Sequence, residues 1–489
     1  MITLEALLAD LPYLLEVKGD KATEIGQITS NSRQKVTRGL FFCISGMRYD
    51  AHDFAPQAVS NGCVALVVER FLPELQVPQV LVSNGRAAMS RIAAAFFGHP
   101  AREMKLVGVT GTKGKTTTSY LLKAIMEQAG YSCGLIGTTG NMIGSRKLRS
   151  DLTTPDPIEL NETFRQMADA GVQIVSMEVS AHALDMHRLD GLTFEAACYT
   201  NLSQDHLDYF HTMERYFEAK KQLFTSGMAL NASFNADDET TAAMLKDLKI
   251  PYITYGICAT ADLFARDIEI SEDGVRFDLK LRDMQNIDIN LKMTGMFNVY
   301  NAIAAASLAM ILGVSGEDIK LGLESVKAVP GRIEMLPTHM PYKVILDYSH
   351  SPDALENILT TVKEFARKRV IVVFGCGGDR DHGKRPIMGR IAGRLADYSI
   401  LTSDNPRTED PYEILKAVEE GIKGTPGKYT VIENRREAIR HALEMGREGD
   451  VIILAGKGHE TYQEVMGVKR PFDEKVVVAE LLEEMQKQP

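Results

Sequence analysis

Residues 107 to 118 read "VGVTGTKGKTTT", an apolar run, a loop with two glycines, then a lysine followed by hydroxyls. Gly111 and Gly114 let backbone N–H groups turn inward around phosphate oxygens, Lys115 reaches β and γ phosphates, and Thr116 can ligate Mg²⁺. The run departs from the strict GxxxxGK[ST] pattern, whose first glycine would fall on Val109. A strand before and a helix after are nevertheless the required context, so Gly111, Thr112, Lys113, Gly114, Lys115, Thr116 and Thr117 form the expected ATP site. A turn merely capped by threonines would leave Lys115 unexplained.

A phosphate loop says what is bound, and nearby acids decide what is done with it. "SMEVSAHALDMHR" puts Glu178 at the end of an apolar strand, and "NLSQDHLDYF" offers Asp205, His206 and Asp208 after the next one. In open parallel sheets ligands sit outside the carboxyl ends of the strands, so Glu178 and His206 are expected to share a site with Thr116. Magnesium is the expected ion, as a hard cation paired with ATP prefers oxygen ligands. His206 alone would suit a structural role; three strand ends pointing one way favour a metal.

The segment "TMERYFEAKKQLF" carries an anomaly. At about 100° per residue, Met213, Tyr216, Phe217, Leu223 and Phe224 share one helical face, with Lys220 near its middle and Lys221 at the edge. Burying an unpaired ammonium is costly. Lys220 must therefore pair with an acid such as Glu214 or Asp208, lose its proton, or be converted by CO₂ to a carbamate that offers oxygen to Mg²⁺. A fourth chemical cluster is "TSDNPRTEDP", residues 402 to 411. Pro406 stops the preceding apolar run, and Asp404, Asn405 and Arg407 fan out from a stiff turn that can read a ligand charged at both ends. The plainer reading is a surface turn followed by a helix start at "TEDP".

The elements that position these groups follow from periodicity. "GCVALVVER" and "VPQVLVS" read as strands and "GRAAMSRIAAAFFG" as a helix ended by Gly98. After the linker "GHPAREM", "KLVGVT", "VQIVSMEVS" and "FEAACYTNLS" alternate with helical stretches, as parallel βαβ units do. Beyond "AVPGRIEML", a second alternation runs through "YKVILDYSH", "RVIVVFGCGG", "YSILTSDNPR", "YTVIE" and "DVIILAG". The expected fold is α/β in three domains: a small N-terminal α/β domain (1–101), a central P-loop ATPase-like domain with a parallel or mixed sheet (102–331), and a C-terminal Rossmann-like α/β domain (332–489).

At 489 residues, 45% hydrophobic and 25% charged, the chain has the composition of an ordinary globular protein and is too long for one core. A net charge of −10 speaks against a nucleic-acid surface, since such binding rests on neutralising phosphates. Six scattered cysteines without a CxxC pair suggest neither zinc nor disulfides, which fits a reducing cytoplasm. The N-terminus carries acids and lacks the basic stretch of a signal peptide, and no run is long enough for a membrane span.

In order along the chain, "GTKGKTTT", "EVSAHAL", "DHLDYF", "YFEAKKQLF", "MTGMFNVYNAIAA", "PGRIEML", "DYSHSPDAL", "GCGGDRDHGKRP", "SDNPR" and "AGKGHETYQ" resemble the motif set of the muramyl (Mur) ligases. The resemblance is to the branch that adds the third residue of the peptidoglycan stem peptide. It implies a cytoplasmic, ATP-dependent, ADP-forming ligase, expected to be a monomer, that activates a UDP-linked muramyl dipeptide as an acyl phosphate. By resemblance Lys220 is the carbamylated lysine, and Thr116, Glu178 and His206 surround two Mg²⁺ ions. Asn298, Asn301, Arg332, Asp347 and His350 resemble nucleotide contacts. Thr153, Thr154, Ser180 and Arg188 match muramyl-peptide contacts, and Ser32 matches a uridine-nucleotide contact. Two departures stand out: Asn31 where the family often has aspartate, and Ala181 and Met186 where the family often reads "EVSSHALVQ".

The incoming amino acid is expected to be meso-diaminopimelate. Arg407 can fork onto its distal carboxylate, Asp404 and Glu460 can serve the ammonium or steady the arginine, and Arg380 and Gly456 complete the pocket by resemblance. L-Lysine at the same step, or a folylpolyglutamate-synthase-like reaction, are alternatives; a P-loop switch or motor is the reading from a different class. Ser180 with His182 does not make a hydrolase, because "EVSAH" lacks the GxSxG elbow. "GCGGDR" places Arg380 where a nicotinamide-binding GxGxxG needs glycine.

Overall fold

The protein is described by a computed structural model that covers residues 1–46, 49–148, 150, 152–271, 273–281 and 286–487. Its architecture is a multi-sheet α/β arrangement. The N-terminal sheet runs Leu14–Lys18, Gln79–Val82, Cys63–Val68, Gly39–Phe42, Gln27–Thr29, with only the first pairing antiparallel. The helix Gly85–Phe96 covers one face, starting on an Asn84 cap and followed by Gly98 at φ +76°.

The central sheet has Lys105–Thr110 between Ile174–Glu178 and Phe194–Tyr199, both parallel to it. Parallel pairing continues from Cys133–Ile136 at one side to Leu263–Ser271 at the other, and antiparallel hairpins finish both edges. Strands covered on both faces are mainly apolar, as the run "LVGV" within Lys105–Thr110 shows. The helix Lys115–Gln128 packs on one face beside Met296–Ile311, whose alanine-rich sequence is buried over most of its length. Gly322 of the helix Gly316–Ser325 sits so close to Ile125 that a Cβ there would lie 2.4 Å from the Ile125 Cα.

The C-terminal sheet runs Glu334–Leu336, Lys343–Asp347, Val451–Ala455, Val370–Phe374, Tyr398–Leu401, Lys428–Val431, parallel after the first pairing. Helices on both faces enclose two apolar cores. The central and C-terminal sheets point the carboxyl ends of their parallel strands toward one cleft. Among the described residues no helix is long and apolar enough to cross a membrane. All six cysteines are free, and only Cys258 is exposed.

Candidate active site

The strand Lys105–Thr110 ends in the expected loop. Gly111 and Gly114 take φ +142° and +86°, backbone that side chains disfavour, and Lys115 opens the following helix. The loop is clasped from the next strand end. The Lys113 N–H donates to Asn201 Oδ1 (2.9 Å), the Thr200 hydroxyl donates to the Lys113 carbonyl (2.6 Å), and the Thr112 N–H donates to the Asn201 carbonyl (2.9 Å). Neither Thr200 nor Asn201 stood out in the sequence; their one signal was their place just after an apolar strand. Lys115 Nζ donates to the carbonyls of Gly111 and Thr112, both at 2.9 Å, and burial holds its pKa below the usual lysine range.

Glu178 is 1% exposed at the end of its strand. Its carboxylate accepts from the Thr116 hydroxyl (3.1 Å), the Thr138 N–H (2.9 Å) and the Thr138 hydroxyl (3.1 Å), so dipoles surround it. Arg332 reaches across from the C-terminal side and donates to the Thr116 hydroxyl at 3.1 Å. Thr138, absent from the sequence-based candidates, also meets the Thr153 hydroxyl at 3.0 Å. His206 takes φ +55° beside Asp205 with its side chain 45% exposed; its partial desolvation by the cleft walls pushes its pKa down to about 4 despite that carboxylate, leaving a neutral imidazole able to bind a metal.

Lys220 is 1% exposed, in the helix Met213–Thr225. It forms no ion pair with Glu214 or Asp208; its Nζ donates to the Gly111 carbonyl at 2.9 Å and lies 4.2 Å from the centre of the Tyr216 ring. Lys115 donates to that same carbonyl. Burial first, and the Lys115 charge second, hold the Lys220 pKa well below the ordinary value.

Two adjoining cavities occupy the cleft. One, of about 560 Å³, is walled by Thr112 to Thr117, Glu178, His206, Asn301, Arg332, Asp347 and His350. The other, of about 780 Å³, is walled by Thr153, Thr154, Ser180, Arg188, Arg380, Asp404, Asn405, Arg407, Gly456 and Glu460. Thr138, Thr153, Ser180, Asp205, His206, Tyr348 and His350 line both, so the phosphate loop and the "SDNPR" turn open into one continuous space. Lys220, Gly111, Asn298, Pro406 and Ser32 stand outside the walls. Asn298 instead supports Asn301 (3.2 Å), and the Ser32 hydroxyl donates to Gln57 (2.8 Å).

Several wall residues have structural partners. The Thr154 hydroxyl bridges the Glu178 carbonyl and the Ser180 N–H, and Ser180 caps a short helix. Asp347 accepts from the N–H groups of Ile333 and Ser349. The helix start at "TEDP" is also real: Asp410 caps Pro411–Ile422. Arg407 sits at φ +52° and donates to the Gly378 carbonyl at 2.6 Å. The acid beside it is Glu464, at 3.7 Å, rather than Asp404 or Glu460. Glu460 accepts from Asn405 (2.9 Å) and from buried Lys457 (3.1 Å), while Asp404 Oδ2 is buried and unpartnered.

For Mg²⁺ the cleft offers one buried carboxylate, hydroxyls and a neutral imidazole, and among the described residues no three His, Cys, Asp or Glu side chains gather as a cage. That set fits an ion held jointly with phosphate oxygens. Buried Glu178, surrounded only by hydrogen-bond donors, is the anchor such an ion needs.

Residues 109–309 match the Mur ligase middle domain and residues 331–458 the glutamate ligase domain of the Mur ligases. The chain is 45% identical over 474 residues to UDP-N-acetylmuramoyl-L-alanyl-D-glutamate--2,6-diaminopimelate ligase of Caldanaerobacter subterraneus subsp. tengcongensis, covering 96% of this chain and 98% of that protein. It is 42% identical over 488 residues to ligase 1 of the same name from Clostridium acetobutylicum, covering 99% of each. A solved structure titled as that ligase superposes with a TM-score of 0.70 at 31% identity, covering 100% of both chains.

Proposed function

The chain belongs to the Mur ligase family, and we propose that it is the ATP-dependent, ADP-forming ligase that adds meso-diaminopimelate to UDP-N-acetylmuramoyl-L-alanyl-D-glutamate during peptidoglycan precursor synthesis. The observation that carries this reading is the continuity of the cleft. The phosphate loop and the Asp404–Arg407 turn open into one space, so an amine held by the turn can meet an acyl group activated at the loop.

In this reading Lys115 and the N–H groups of the 111–117 loop hold ATP with its γ-phosphoryl group toward the acceptor, while Asn301, Arg332, Asp347 and His350 form the rest of the nucleotide wall. Thr153, Thr154, Ser180 and Arg188 line the path of the muramyl peptide, and Ser32 in the N-terminal unit lies toward its uridine end. The D-glutamyl side-chain carboxylate takes the γ-phosphoryl group, releasing ADP. The amine then attacks the acyl carbon, the acyl C–O bond breaks with its electron pair going to the departing phosphate, and the proton lost by the amine ends, in net, on phosphate or solvent. Thr116, Glu178 and His206 would hold Mg²⁺, two ions in all, which supplies positive charge to the transferring phosphoryl group. Lys220 bears a CO₂-derived carbamate; its burial and its lowered pKa support this, because they favour the unprotonated amine that adds CO₂.

Arg407 forks onto the distal carboxylate of the diamino acid, with Arg380, Asn405, Gly456 and Glu460 around it, and the free Asp404 oxygen accepts from its ammonium. The units 1–101, 102–331 and 332–489 divide UDP-substrate, ATP and amino-acid binding, and the enzyme works as a cytoplasmic monomer without nucleic acid. The test is phosphate release with each substrate omitted, followed by kcat/KM for meso-diaminopimelate and L-lysine in wild type and Arg407→Ala. A site built to pair a carboxylate rejects a ligand lacking it by about 10⁴. Wild-type preference for lysine, or a diaminopimelate preference that survives loss of Arg407, overturns the assignment.

A further inference from the structure

Beneath the "SDNPR" turn lies an ion pair that no step of the reaction uses. Arg435 opens the helix Arg435–Met445, and Glu474 opens the helix Glu474–Lys487. Both side chains are 0% exposed, and Arg435 Nε donates to Glu474 Oε1 at 2.8 Å. A guanidinium at a helix start faces the positive end of the helix dipole, so Arg435 is not placed there for its helix's benefit, whereas Glu474 suits the start of its own. Replacing buried ion pairs by apolar side chains of similar size is often neutral for stability, so stability alone does not explain the pair.

The remaining donors of Arg435 explain it better. One terminal nitrogen donates to the Ala455 carbonyl at 2.9 Å and the other to the Ser403 carbonyl at 3.4 Å. Ser403 immediately precedes Asp404, and Ala455 immediately precedes Gly456. These two residues face each other in the pocket: a Cβ on Gly456 would lie 2.5 Å from Asp404 Oδ2, the buried oxygen without a partner. Tyr398–Leu401 and Val451–Ala455 are not neighbours in the sheet, since Val370–Phe374 runs between them. No ladder hydrogen bond therefore fixes the distance between their ends, and the planar fork of Arg435 spans it.

We propose that Arg435 and Glu474 are positioning residues of the amino-acid pocket, the guanidinium setting the spacing of Asp404 and Gly456 and the carboxylate fixing the guanidinium. This rests on the assignment of that pocket to the incoming amino acid. Arg435 touches no substrate, and its effect passes through the carbonyls of Ser403 and Ala455.

The test is steady-state kinetics on the full-length enzyme, with KM measured separately for ATP, the UDP-linked dipeptide and meso-diaminopimelate. Wild type must first release phosphate in a diaminopimelate-dependent way; if it does not, the functional reading fails, independently of the brace. The double variant Arg435→Met/Glu474→Leu replaces the pair with apolar volume. It is expected to keep its Tm and its KM for ATP, while KM for the amino acid rises about tenfold or more, as misplaced binding groups cause. Arg435→Lys, which keeps a charge for Glu474 but cannot fork across two carbonyls, is expected to raise the same KM. A double variant that unfolds, three KM values that rise together, or an amino-acid KM left at the wild-type value would make the pair a structural element and overturn the proposal.

Discussion

Two amines, Lys115 and Lys220, donate to the single carbonyl of Gly111, each at 2.9 Å. Two ammonium groups this close repel strongly, and burial together with the Lys115 charge holds the Lys220 pKa well below the ordinary lysine value. Lys220→Ala is therefore expected to abolish ligation; bicarbonate should not restore it, whereas a short-chain carboxylic acid filling the space should restore part. Near-normal turnover in assays of the variant would remove the carbamate. At Lys115 and Glu178 the expected loss on substitution by alanine is about 10²–10³ in kcat, the usual consequence of removing one charge-stabilising group. Circular dichroism should show both variants folded.

The loop and helix that hold these side chains have their own requirements. A Cβ at Gly111 would lie 1.9 Å from the Thr200 hydroxyl oxygen, at a φ that other residues disfavour. Gly111→Ala must therefore strain the backbone and dislodge the Thr200 clasp, together about 2–4 kcal/mol. The expected result is a lower Tm and weaker binding of a non-hydrolysable ATP analogue in calorimetry; wild-type affinity would mean the loop tolerates both. Thr212 caps the Lys220 helix by accepting from the Arg215 N–H at 3.2 Å. Thr212→Ala should cost about 1 kcal/mol in denaturant unfolding.

Across the molecule, polar contacts join the central sheet to the C-terminal one at the cleft. Lys113 lies 3.5 Å from Asp353, and Arg332 reaches the Thr116 hydroxyl, while His459 sits half-buried beside the cleft. The Lys113–Asp353 pair is part-exposed, so a double-mutant cycle on it should give less than about 1 kcal/mol. His459 is different, because burial first and Arg332 second push its pKa down to about 4. Above the unfolded-state value, about 6.5, both states hold a neutral imidazole and no proton linkage arises. As pH falls below it, the unfolded chain takes up a proton that the folded one refuses, and stability declines until about pH 4. His459→Gln is expected to flatten that part of the stability–pH curve; an unchanged slope would assign the acid limb to other groups.

The strands, the phosphate loop and the helix with Lys220 on its apolar face were legible in the sequence because each is set by local periodicity or by contiguous spacing. The same holds for the turn at Pro406, where the missing N–H ends the strand whatever surrounds it. What holds the loop and the turn in place was not legible. Thr138, Thr200 and Asn201 are ordinary loop residues until strand pairing brings their donors and acceptors to the glycine loop and Glu178. Glu464 reaches Arg407 only because the hairpin Tyr462–Val465 with Val468–Pro471 folds back along the turn, where the Arg407 N–H donates to the Glu464 carbonyl at 3.0 Å. Arg435 and Glu474 stand 39 residues apart, each at the start of a different helix. Hydrogen bonds and ion pairs of this kind have no period along the chain, so only the packed sheets decide which polar groups meet.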